Sequence, residues 1–465
     1  MATSTPLFTL PQLAQASGGD LWASSPPADP IAREEWLRSG VEGASIDTRT
    51  IQPGDLFVPL PGAKADGHQF IAQAFARGAG ASLCDRAHAA EWREKSSGPL
   101  VIVDDVTLAL QRLATRHRER WSGLLIGVTG SSGKTTTKDL VAAVLEAAAP
   151  TLKTEGNLNN HWGVPLTLLR LRAEHRAAVI EMGMNHAGEI ARLAAIAAPN
   201  AALITTAGSA HLEHLGTLEA IAREKASLAA NLKADQVAFA GADSPRLLVA
   251  LRPFACRKVT YGFARGADLR PVRFEALGES GSQLAVAGFP DFVLPLPGRH
   301  QVANALGALA VAREFGVDPA RAVAALADAR PGRARMEIRH ARGATLLLDY
   351  YNANPESTER ALETLSDWPG ASRRIAALGD MLELGAEASR LHAETARAAG
   401  PNVELWTTGE HAQDWARGTK NARRFESREA LREALHEALA PGVVVLIKAS
   451  RGARFETLLE GLGAS

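Results

Sequence analysis

The sequence predicts an α/β protein of three domains: a small α/β N-terminal domain, a central parallel-sheet domain of the P-loop ATPase kind, and a C-terminal Rossmann-like domain. Three observations carry this expectation. Strand-like and helical stretches alternate through the middle and last thirds of the chain, the pattern that builds parallel sheets covered by helices. One glycine-rich segment, Gly127-Val-Thr-Gly-Ser-Ser-Gly-Lys-Thr-Thr-Thr137, falls between an apolar run and a strongly helix-forming stretch. The length of 465 residues, at roughly 150 per domain, suffices for three separate cores. The expected divisions are residues 1–104, 105–331 and 332–465.

Composition narrows the function classes. Lys plus Arg number 51 and Asp plus Glu number 51, so no global basic field exists to hold nucleic acid or an anionic membrane surface. Two cysteines, Cys84 and Cys256, cannot build a disulfide framework or a cysteine zinc cage, and they fit a reducing cytoplasm. The N-terminus lacks a basic stretch followed by an apolar one, and no apolar run reaches the roughly 18 to 20 residues of a membrane span. A soluble, cytoplasmic protein without membrane insertion is expected.

In the first domain, Ser24-Ser-Pro-Pro-Ala-Asp-Pro30 reads as part of a loop over residues 21–30, while Gly54–Leu60 and Leu100–Val103 read as strands. Phe70–Gly78 reads as a short helix closed by glycine. Two polar clusters, Ser45-Ile-Asp-Thr-Arg49 and Asp66-Gly-His68, have the composition of ordinary turns.

In the middle domain the apolar Leu124–Val128 enters the glycine-rich loop, and the following helix offers its positive end to an anion. Gly130 and Gly133 allow the amides to turn inward, Lys134 adds a mobile charge near the β- and γ-phosphates, and the Thr135 hydroxyl can ligate Mg²⁺. The commonest form of this pattern has glycine where Val128 stands. The loop is read as an ATP site. Strands are expected at Ala177–Glu181 and Ala201–Thr205, with helices from Ala187 and from about Leu218. Ligands of such sheets sit at the carboxyl ends of strands. Glu181 falls there as an acid able to hold Mg²⁺ directly or through water. From pattern alone His211 reads as a loop histidine and Lys225 as a solvent-facing helix lysine. The loop Thr154–Pro165 contains Asn157, Asn159 and Asn160 and no acid–base group, which suggests binding rather than proton transfer. Residues 260–298 are β-like, and Asn304 lies on the helix that follows.

Pro331-Gly-Arg-Ala-Arg-Met-Glu337 reads as a linker into the third domain, with strands at Thr345–Asp349, Arg374–Leu378, Val403–Thr407 and Gly442–Ile447. Their ends carry Asp349-Tyr-Tyr-Asn-Ala-Asn-Pro355, Gly379-Asp-Met-Leu-Glu-Leu-Gly385 and Lys448-Ala-Ser-Arg-Gly452. Each cluster falls where a ligand-facing loop belongs.

Taken together, these loops resemble the Mur ligases over all three domains. Thr129–Thr136 is similar to the family's own phosphate loop, valine at 128 included. Asn157-Leu-Asn-Asn160, Tyr351-Asn-Ala-Asn-Pro355, Leu378–Gly385 and Lys448–Gly452 agree with it. The resemblance implies ATP-dependent joining of D-alanyl-D-alanine to a UDP-N-acetylmuramoyl-tripeptide, in the cytoplasmic branch of cell-wall synthesis, by a monomer. By position it places Thr129, Gly130, Ser131, Ser132, Gly133, Lys134, Thr135 and Thr136 on ATP. Asn304, Arg335, Asp349, Tyr351, Asn352 and Asn354 fall around ATP or in third-domain closure. Thr48, Arg49, Asp66, Gly67, His68, Asn159 and Asn160 would meet the UDP end, with Lys448, Ser450 and Arg451 as further substrate contacts. Thr135, Glu181, His211 and Lys225 would hold Mg²⁺, as two ions, with Lys225 carbamylated. Lys134, Glu181, His211, Lys225 and Asp349 would be the catalytic set. Three departures from the family pattern stand out. His161-Trp162 replaces an acidic and a β-branched residue, Gln301 replaces an asparagine, and Arg333 competes with Arg335 for the linker role. The Tyr351–Pro355 and Gly379–Gly385 motifs argue against a folate polyglutamate synthetase. Lys134, Thr135, Glu181, His211 and Lys225 together, with no Asn-Lys-x-Asp segment, argue against a nucleotide-dependent switch.

Overall fold

Short runs of Val, Ile, Leu and Ala such as Leu100–Val103 and Val443–Lys448 are buried along their whole length, as befits strands covered on both faces. The computed structural model describes residues 6–62, 65–210 and 212–462. Contacts divide the chain into two units, one of residues up to 125 with 151–182 and 192–199, the other of 126–150, 183–191 and 200 onward.

The first unit holds a five-stranded sheet in the order Asp20–Trp22, Leu100–Val103, Ala81–Asp85, Asp55–Phe57, Gly43–Ser45. Its first pair is antiparallel and the other pairs are parallel. Phe57, Ile71, Cys84, Trp92, Leu100 and Ile102 pack one face of it. Residues 21–30, expected as a loop, instead begin with a short strand and end at a helix, Pro30–Arg38, which Asp29 caps through the Ala32 amide at 2.9 Å. That helix buries none of its residues, so no apolar periodicity was there to be read. Thr151–Lys153 and Ala177–Glu181 form a parallel pair.

The second unit contains parallel strands in the order Arg257–Tyr261, Val237–Gly241, Ala201–Ile204, Leu124–Thr129. The β-like segment expected over 260–298 is a three-stranded antiparallel sheet of Pro271–Ala276, Ser282–Val286 and Phe292–Leu294. Arg299–Glu314 follows as a helix buried on most of its faces. After residues 328–336, where Ala334 and Met336 take positive φ of 55° and 56°, comes a six-stranded sheet. Its order is Glu337–Ala341, Ala344–Leu348, Val443–Lys448, Arg373–Leu378, Val403–Thr407, Ala422–Arg424, and only the first pair is antiparallel. Alternation sends successive side chains to opposite faces. Leu346, Leu348, Ile375, Val445 and Ile447 meet Leu431 and Leu435 on one side. Leu347, Ala376, Leu378, Val444 and Leu446 meet Leu362, Leu365 and Trp415 on the other.

Candidate functional site

The glycine-rich loop joins the strand Leu124–Thr129 to the helix Lys134–Glu146, as the spacing predicts. Gly133 takes φ 79° at the helix start, and a Cβ there would lie 2.5 Å from Asn304 Oδ1. A Cβ on Gly130 would collide with Thr205 Oγ1. Only glycine lets the loop approach its neighbours this closely. The loop is hydrogen-bonded to its own neighbours. The Ser131 amide donates to Thr206 O (3.0 Å), the Ser132 amide to Thr206 Oγ1 (3.2 Å), and Thr205 Oγ1 to Ser132 O (2.5 Å). Ser131 Oγ donates to Gly208 O at 2.9 Å, and Lys134 Nζ folds back onto Gly130 O at 2.8 Å. Thr137 Oγ1 donates to Asn304 Oδ1 (3.1 Å), whose amide nitrogen donates to Gln301 Oε1 (3.0 Å). Glutamine at 301 thus orients Asn304. Thr135 and Thr136 stand on the first turn of the helix, half-buried.

Lys225 corrects the pattern-based expectation: it is 1% exposed, on the helix Leu218–Ala226. Burial, with the Lys134 charge adding to it, holds its amine well below the usual lysine range, against the opposing carboxylates of Glu356 and Glu224. Glu224 caps the start of the next-door helix through the amides of Gly188 (2.8 Å) and Ile190 (2.9 Å). His211 lies outside the described residues.

In the second half of this unit, Lys448 is 2% exposed and pairs with Asp349 Oδ2 at 2.5 Å, while donating to Asn352 O at 3.1 Å. Asp349 Oδ1 also accepts from the Met336 amide at 3.2 Å, tying the strand end to the linker. Arg335 stacks its guanidinium 3.8 Å from the Tyr351 ring centroid. Asn352 Oδ1 accepts from the Ala353 amide, and Asn354 caps Pro355–Ser366 in a reciprocal box with Ser357. Ser450 Oγ donates to Ala353 O at 3.1 Å and accepts the Leu382 amide at 2.9 Å, joining its own strand-end loop to the other two; Arg451 is exposed beside it.

In the first unit Glu181 is 2% exposed. Its Oε1 accepts from Asn159 Nδ2 at 2.8 Å, and its buried Oε2 has no hydrogen-bond partner among the described residues. Asn160 Oδ1 accepts the amides of Trp162 and Gly163 and starts the next helix. Trp162 donates its indole N–H to Thr107 at 3.1 Å, and His161 packs on its ring. Thr48 Oγ1 donates to Gln73 at 3.0 Å. Arg49 is exposed and pairs with Asp47, whose carboxyl that pairing lowers to about 2. Gly67 opens a short 3₁₀ turn capped by Asp66. Asp66 Oδ1 accepts from the buried His68 Nδ1 (2.7 Å), and His68 Nε2 accepts the Asp85 amide (3.1 Å). His88 stacks on His68 with centroids 4.1 Å apart and bonds Asp85 at 2.7 Å, which raises its pKa. Asp85 and His88 escaped the sequence reading because a strand pairing, not a motif, brings them to Asp66 and His68. Thr205, Thr206, Glu356 and Arg360 escaped it likewise, although Glu356 directly follows a recognised motif.

Comparison with known proteins matches three family profiles: "Mur ligase family, catalytic domain" over residues 40–118, "Mur ligase middle domain" over 128–312, and "Mur ligase, glutamate ligase domain" over 334–451. The UDP-N-acetylmuramoyl-tripeptide–D-alanyl-D-alanine ligase of Bacillus subtilis (strain 168) is 34% identical over 442 residues, 93% of this chain and 95% of that one. Crystal structure I of MurF from Acinetobacter baumannii superposes with a TM-score of 0.85 at 30% identity, covering 98% of each chain. The MurF ligase of Thermotoga maritima in complex with ADP superposes with a TM-score of 0.80 at 29% identity over 90% of this chain and 96% of that one.

Proposed function

This chain belongs to the Mur ligase family, and from that premise we propose that it joins D-alanyl-D-alanine to UDP-N-acetylmuramoyl-tripeptide at the expense of ATP. The observation that carries the reading is the full-length likeness to ligases of that name, supported by a glycine-rich loop between strand and helix at Thr129–Thr136. A carboxylate is a poor electrophile, so amide formation in water needs activation. The tripeptide carboxylate attacks the γ-phosphorus, ADP leaves, and the dipeptide amine then displaces phosphate from the acyl phosphate. Both partners of the first step are anions, so the chain's task is to align them and offset charge with loop amides and Lys134.

Glu181 fits a hard cation, because a buried carboxylate oxygen without a partner is what such an ion would satisfy. Thr135 and His211 are carried with it as Mg²⁺ ligands, and Mg²⁺, as two ions, would supply charge neutralisation on the transferring phosphoryl group. Lys225 is read as a carbamate: a buried amine kept from protonating can add CO₂ and become an oxygen ligand. Asn304, Arg335, Asp349, Tyr351, Asn352 and Asn354 are assigned to ATP and to closure of the third domain. Thr48, Arg49, Asp66, Gly67, His68, Asn159 and Asn160 are assigned to the UDP end, and Lys448, Ser450 and Arg451 to substrate. The proposed division into residues 1–104, 105–331 and 332–465 follows these roles. Cytoplasmic location and a monomeric state complete the reading. Among the described residues no helix is long and apolar enough to cross a membrane. The test is ADP release by the purified chain. It should require the tripeptide nucleotide and D-alanyl-D-alanine together, and equal turnover with glutamate and a folate would refute the assignment.

A further inference from the structure

The helix Pro355–Ser366 carries Glu356 on its first turn and Arg360 one turn later. Glu356 Oε2 accepts from Thr206 Oγ1 at 3.0 Å, and its other oxygen accepts from Arg360 Nη2 at 3.0 Å. The carboxylate sits so close to Gly208 that a Cβ there would collide with it. A hydroxyl has one proton to give. Because Thr206 gives it to Glu356, its lone pairs face the Ser132 amide, which donates to it at 3.2 Å. Glu356 therefore fixes the hydroxyl that occupies one of the phosphate loop's donors. Arg360 lines a cleft with Ser132, Gly133, Asp243, Tyr261 and Asn304, so the cation of the pair borders the loop as well. Lys225 feels Glu356 and Lys134 with opposite signs, which puts all three charges in one electrostatic neighbourhood.

From this chain of bonds we infer that Glu356 and Arg360 act as a charge gate on nucleotide binding, Glu356 opposing the phosphate chain and Arg360 favouring it. The inference rests on the reading of Thr129–Thr136 as the ATP site. An incoming polyphosphate needs the Ser132 amide and brings negative charge up to a carboxylate, so it must compete with Glu356 on both counts. While the pair holds, the Arg360 guanidinium spends its charge on Glu356. Released, it offers a planar fork suited to phosphate oxygens. Both are positioning residues for the nucleotide. A merely structural ion pair would behave differently, since breaking it from either side would shift affinity in the same direction.

Calorimetric titration of the full chain with ADP and with ATP, in Mg²⁺, separates these cases. Glu356→Ala should bind nucleotide about fivefold tighter and Arg360→Ala about fivefold weaker, with both shifts shrinking at high salt. Glu356→Gln keeps an acceptor for Thr206 but loses the charge. It should tighten binding less, and it serves should the alanine variant fail to fold. Unchanged or weaker binding by both Glu356 variants overturns the gate, as does a shift of Glu356→Ala and Arg360→Ala in one direction. A wild-type chain that binds neither nucleotide would instead overturn the ATP reading beneath it.

Discussion

A lysine in water is a cation near neutral pH and cannot ligate a metal, so the 1% exposure of Lys225 changes which chemistry is open to it. Lys225→Ala should be nearly inactive, and added formate or acetate should restore part of the rate by filling the vacant ligand position. Wild-type turnover in that variant would remove the role. Lys134 is expected to act mainly in the transition state. Lys134→Ala should lower kcat by about 10²-fold, roughly 2.7 kcal/mol, whereas a raised KM for ATP at normal kcat would contradict this. The phosphate loop was legible because its glycines are demanded by steric contacts that repeat in sequence. Lys225 was not legible from pattern, because Arg223-Glu-Lys has the composition of a solvated face and its burial depends on neighbours far along the chain. Glu181 could be placed at a strand end, but its unpartnered oxygen is a property of packing.

At the scale of elements, one strand-end loop of the last sheet is held by a histidine whose two bonds suit the neutral ring. His392 is fully buried. Its Nε2 accepts the Met381 amide at 2.9 Å, and its Nδ1 bonds Ala388 O at 2.7 Å, so the ring is neutral in the fold. Burial, with His411 stacked on it, lowers its pKa below 6.5. His300, on the helix Arg299–Glu314, is only partly buried as a residue, yet desolvation of its ring, with the Arg360 and Lys448 charges adding to it, lowers it to about 3. A histidine whose folded pKa is depressed costs nothing above its unfolded value. Below it the unfolded chain binds the extra proton, and stability falls by about 1.4 kcal/mol per pH unit per group until the folded pKa is reached. The melting temperature should therefore drop between about pH 7 and pH 5, and His392→Gln should flatten part of that drop. A melting temperature flat across that range would show the rings are not held neutral. The helices beside these loops were legible only as helical stretches between the strands. The missed helix Pro30–Arg38 had a cap but no apolar face, so half of the usual signal was absent.

At the scale of the whole chain, alternating strands and helices made the parallel sheets legible, because a strand buried on both faces is apolar throughout. Strand order was not, since it depends on crossovers that no local signal records. The expectation of reduced thiols can be checked directly. Cys84 is buried, and burial together with Asp85 pushes its thiol up to about 12. Cys256 is buried too. Neither should react with an aromatic disulfide reagent until the protein is denatured, when both should, and reductant should leave the melting temperature unchanged. Rapid labelling of the native chain would contradict the burial.

The phosphate loop is paired with its own neighbours through Thr205, Thr206, Gly208 and Gly130. Binding there is an exchange of partners. An inorganic phosphate offers its four oxygens at one point, whereas a polyphosphate spreads its oxygens along a chain, so that once one has displaced one partner the others lie in reach of the next. The loop's own bonds are thus expected to favour solutes whose phosphates lie in a row, and a titration in which ADP displaces inorganic phosphate from the loop checks this.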